Sequence, residues 1–130
     1  MSSSLVSRAS AVVLLAGGLI LLFAPDNVLP VLVPDYPSEA YWIGQLLGAA
    51  WLSVAALDWL HRDLVLGGIH GRPVVAANLS LHFISAVVIV KAALRFDVPT
   101  SDAVIAAPFA LLALAYAWLL FRGPLAKDRT

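Results

Sequence analysis

Two residues bring chemistry into stretches of this chain that are otherwise apolar. His82 lies in the run 73–95 and Asp58 near the end of the run 40–60. A histidine near the middle of a membrane-crossing helix faces the interior of a bundle. There it either hydrogen-bonds to Ser85, Asn78 or a backbone carbonyl, or ligates a bound centre through a neutral ring nitrogen. The hydrogen-bonding reading leads. The second makes His82 the candidate cofactor-binding residue, for haem, a pigment or a quinone, and the sequence specifies no particular cofactor.

Asn78, His82 and Ser85 follow one another at spacings of four and three, which places a polar stripe down one side of a helix. At 1.5 Å per residue His82 stands roughly 3 Å from the midpoint of its run and Asn78 roughly 9 Å toward the N-terminal end. Asp58 is roughly 12 Å from the midpoint of its own run, on the side where that run meets the third, so it shares the depth of Asn78. An unpaired carboxylate at that depth is costly. Asp58, Arg62, Arg72 and Asn78 are therefore expected to form one polar membrane cluster. Its plain role is to fix the register of two helices; its sharper one is a step on a proton or ion path.

The run 40–60 also carries a seam of small residues. Gly44 and Gly48 stand four apart, and the same face continues through Trp51, Ala55, Asp58 and Arg62. In lipid, helices associate through close backbones and a few polar contacts, so this face predicts a packing groove for a neighbouring helix, and Gln45 predicts a hydrogen bond across to another helix. Lys91 lies about 180° around its helix from His82 and is expected to snorkel toward the membrane surface near Arg95.

Other chemistry is missing from the sequence. There is no cysteine, which removes thiolate nucleophiles, disulfides and cysteine metal sites together. His61 and His70 have no mate at a zinc-binding spacing. No GxSxG, HExxH or phosphate-cradling loop occurs, and Gly67-Gly68-Ile69-His70-Gly71 lacks the lysine and the strand context of a phosphate loop and reads as a turn. The expectation is a protein that is not an enzyme.

These residues need elements to hold them, and composition names the elements. Of 130 residues 62% are hydrophobic and 12% charged, about half the charged fraction of a soluble domain. With no net charge there is no basic surface for nucleic acid. Four apolar runs, at 5–24, 40–60, 73–95 and 102–121, each approach the ~20 residues that cross a bilayer. The first is preceded by Arg8, as a secretory signal would be. Leu22-Phe23-Ala24 lacks the small residue that a cleavage site needs two positions before Ala24, so an uncleaved helix is expected.

Between the first two runs, 25–39 holds four prolines and reads as an ordered or semi-extended loop, too apolar for a solvated linker and suited to lie along the membrane surface. The other connections are short, which makes successive helices antiparallel. Six basic residues (Arg8, Arg62, Arg72, Arg122, Lys127, Arg129) then share one side and two (Lys91, Arg95) the other, so both termini are expected in the cytoplasm. Tyr36, Tyr41 and Trp42 at one face and Trp59, Trp118 and Phe121 at the other stand where aromatic belts form. The fold class expected is all-α: one integral membrane domain over 1–130, an antiparallel up-down four-helix bundle, in a bacterial inner membrane.

In size and number of crossings the chain resembles the small multidrug transporters and the dual-topology fluoride channels. The resemblance stops there, because the first run has no acidic residue where the transporters carry a membrane glutamate. Three functional readings remain. The leading one is an accessory or structural subunit whose partners are the lipid bilayer and other membrane subunits or copies of itself. The others are a haem, pigment or quinone module of an electron-transfer or photosynthetic complex using His82, and a small oligomeric transporter or channel using Asp58.

Overall fold

The structure, a computed structural model, describes residues 3–63, 71–96 and 101–122. The described residues form five α-helices: α1 (Ser3–Phe23), α2 (Pro25–Leu32), α3 (Tyr41–Leu60), α4 (Arg72–Phe96) and α5 (Ser101–Arg122), with a 3-10 turn at Ser38–Ala40. The four apolar runs coincide with α1, α3, α4 and α5 to within one or two residues at each end, the ordinary scatter of helix termini. The turn at 67–70 with His70, the connection at 97–100, and the tail cations Lys127 and Arg129 lie outside the described residues.

Four segments are long and apolar enough to cross a membrane: Ser3–Phe23, Ser38–Leu60, Arg72–Leu94 and Val104–Phe121. Their surfaces agree with that reading. Leu60, Leu94 and Phe121 are 75, 84 and 85% exposed, and large apolar side chains are exposed along all four long helices. Faces of that kind aggregate in water and are at rest in lipid. The chain is a multi-pass membrane protein by this measure.

Proline sets the break after α1. Pro25 has no N–H to offer the carbonyl of Leu21, so α1 stops, Ala24 leaves helical geometry (φ −136°, ψ 46°), and Pro25 restarts the chain near the N-terminus of α2. Here the semi-extended loop expected for 25–39 needs correction, since its first eight residues are helical. Only Pro30 costs α2 an internal hydrogen bond, and Val33 N–H closes the last turn on Leu29 O at 2.8 Å. Beyond it Asp35 takes a left-handed conformation (φ 61°), which aspartate tolerates better than most residues, and Tyr36 N–H closes the turn on Val33 O at 3.1 Å.

Residue contacts group the chain into two compact units, Arg8–Leu60 and Met1–Ser7 with His61–Thr130. In the first, α1 buries Ser10, Ala11, Leu14, Gly18 and Leu21, and α3 buries Gly44, Gly48, Ala55 and Asp58. Both sets recur at three or four residues, one stripe per helix. In the second unit α4 buries Val74, Val75, Asn78, His82 and Ala86 against Ala106, Phe109, Ala113, Tyr116 and Leu119 of α5, and Val6 closes a cluster with Val74, Val75, Tyr116 and Leu119. Pro108 lies within α5, where it removes one backbone hydrogen bond, a loss that membrane helices accommodate by local adjustment.

Candidate functional site

Within Arg8–Leu60, the polar centre is Asp58. Ser10 on α1 donates its hydroxyl to Asp58 Oδ2 at 2.5 Å, and both side chains are fully buried. This hydrogen bond gives the buried carboxyl group a partner. It answers the cost of placing a carboxylate on an apolar helix, and it joins two elements 48 residues apart in sequence. Ser10 is absent from the sequence-level candidates. The signal that reveals it is periodicity, because it falls on the same α1 face as Leu14, Gly18 and Leu21.

The glycine seam lies against the same helix. A Cβ on Gly48 would sit 2.7 Å from Gly18 O and 3.1 Å from Leu22 N, and one on Gly18 would sit 2.9 Å from Gly48 O. Two backbones therefore meet at a point where neither residue can carry a side chain. Beside this crossing the Trp51 ring lies over Gly17, its Cζ3 2.7 Å from where a Cβ would stand, and Leu29 of α2 fills the space above Gly44. Gln45 donates to Leu22 O at 3.3 Å, satisfying one of the carbonyls that α1 leaves open at its C-terminal end. The adjacent pair Gly17-Gly18 supplies the other half of the contact, and it too was legible only as a face.

In the unit of α4 and α5, His82 is fully buried. Its ring lies nearly parallel to that of Tyr116 (12°, centroids 5.7 Å apart) and tilted to that of Phe109 (46°, also 5.7 Å). Aromatic neighbours on α5 thus hold the imidazole in the offset geometry that such rings prefer. One turn away, Asn78 donates to Val74 O of its own helix at 3.1 Å.

Of the four residues expected to cluster, Asp58 belongs to the first unit, and Arg62, Arg72 and Asn78 to the second. Arg62, half-buried, places Nε 3.5 Å from the carboxylate of the exposed Asp63, a surface pair of the kind worth under about 1 kcal/mol. Arg72 is exposed at the start of α4.

Chemically, these groups offer hydrogen bonding and stacking. Among the described residues no three His, Asp or Glu side chains converge as a metal site. Among the described residues His82 is the histidine buried among aromatic rings, those of Phe109 and Tyr116; ligation would use a ring nitrogen at the edge of the imidazole rather than its stacked faces. Compared with profiles of protein families, with curated proteins and with solved structures, the chain matches none.

Proposed function

We propose that this protein is a non-enzymatic subunit of a bacterial inner membrane, an antiparallel four-span bundle that docks through α3 on a helix of a larger complex or on a second copy of itself. One observation carries the reading. The glycine face of α3 is covered by α1 and α2, yet Ala49, Ser53 and Ala56 form a second line of small residues on a different, exposed face of the same helix. Their spacing of four and three keeps them on one face. Small side chains gain little from lipid but let another backbone come close. Ser53 meanwhile donates to Ala49 O at 3.0 Å, so its hydroxyl is satisfied without a neighbour and can be shared with one.

The paired variant Ala49→Leu with Ala56→Leu tests this. Overpacking a close helix contact costs about 1–3 kcal/mol, enough to weaken association roughly 5- to 150-fold. The expected result is loss of the oligomer or partner in mild detergent with the melting temperature of the isolated chain unchanged. A wild-type protein that is monomeric and without a partner in native membranes would oppose the reading.

The stacking of His82 on Tyr116 supports a packing role for that residue, and the Ser10 bond to Asp58 supports a joint between α1 and α3. With the six basic residues on one side, both termini face the cytoplasm. A reporter fused after Thr130 is expected to be active only in an assay that requires the cytoplasm, and activity on the far side of the membrane would reverse the assignment.

A further inference from the structure

Along α4 and α5 runs a groove of about 920 Å³, bounded on α4 from Leu79 to Leu94 and on α5 by Ala110, Ala113 and Ala117. It is apolar throughout except at one place. Lys91, exposed on α4, lines it near the Leu94 end. We infer that this groove binds one anionic phospholipid, an acyl chain lying along the alanines and the headgroup phosphate meeting the Lys91 ammonium.

The dimensions suit that occupant. Leu79 and Leu94 are 15 positions apart, roughly 22 Å of helix, which exceeds the ~15 Å that one leaflet contributes to the hydrocarbon core. The volume falls in the range of ligand pockets, about 300–1,000 Å³. The alanines make the depression, because they leave unfilled the space that leucines elsewhere on these helices occupy. Lys91 stands seven residues past the middle of α4 (Arg72–Phe96), roughly 10 Å from the mid-plane, so its extended side chain reaches the headgroup level. A neighbouring protein helix seated in the same groove would bring no partner for that ammonium unless it carried an acid at the matching depth. A phosphodiester carries its charge at that depth by construction.

The test uses the full chain in mild detergent, titrated with phosphatidylglycerol or phosphatidylcholine of identical acyl chains and read by native mass spectrometry. The wild type is expected to take up one phosphatidylglycerol saturably, about fivefold more tightly than phosphatidylcholine, the upper value for a single exposed ion pair. Lys91→Ala should remove that preference and keep weak binding of both lipids. Ala110→Leu and Ala117→Leu, made separately so that failure of one to fold leaves the other, should weaken both lipids alike. Unsaturable uptake by the wild type, an undiminished preference in Lys91→Ala, or a protein helix cross-linked into the groove would each overturn the inference.

Discussion

Gly48→Leu is expected to be the most damaging single substitution in the unit Arg8–Leu60, lowering stability in detergent by about 3 kcal/mol, the upper part of the range for overpacking. The size follows from what the new side chain meets. Gly18 O and Leu22 N are backbone atoms of α1, 2.7 and 3.1 Å from the first added carbon, and neither can rotate aside. Gly44→Ala is the matched control. There the nearest atom is Cδ1 of Leu29 at 2.8 Å, the end of a flexible side chain that can move aside, so the cost should be no more than about 1 kcal/mol, the low end of the range for overpacking. Thermal melts of the two variants distinguish a backbone crossing from a general intolerance of side chains on this face; equal, small effects would mean that α1 and α3 do not meet at Gly48.

In the second unit the largest loss is expected from Tyr116→Ala, about 3 kcal/mol, the lower end for emptying a buried aromatic site. Tyr116 is fully buried, belongs to the cluster of Val6, Val74, Val75 and Leu119, and stacks on His82. Its removal opens a cavity and frees the imidazole at once. His82→Leu keeps comparable bulk and gives up only the ring contacts and polar bonds, so its cost should be about 1 kcal/mol or less. This ordering separates the two roles of His82. Equal losses from both variants, or a visible absorbance band in the wild type that His82→Leu abolishes, would instead make the histidine a ligand.

The apolar runs disclosed the four long helices because membrane-crossing segments must be long, continuous and uncharged, and little else in a sequence imitates that. The faces were legible for the same reason: Gly44, Gly48, Ala55 and Asp58 recur at helical spacing, and so do Asn78 and His82. What each face meets was not legible. Periodicity places Asp58 on the inner side of α3 but does not say that Ser10 of α1 donates to it, because pairing between helices is a property of how they pack. Proline misled in 25–39. Four prolines argue against a long helix, yet a helix of eight residues with Pro25 at its start loses only the bond that Pro30 cannot make.

The seam of α3 changes meaning once its neighbours are known. Gly44 and Gly48 predict a groove for a neighbouring helix, and α1 and α2 occupy that face, so the case for a partner rests on Ala49, Ser53 and Ala56. The absence of cysteine from the chain makes this claim directly testable, since a single introduced thiol is unique. In Ser53→Cys labelled with a maleimide photo-crosslinker and irradiated in native membranes, one discrete adduct is expected, joining the chain to a second copy or to one other membrane protein. Val12→Cys, at an exposed position of α1, should give no such product. Lipid adducts alone at both positions would contradict a docking role for α3.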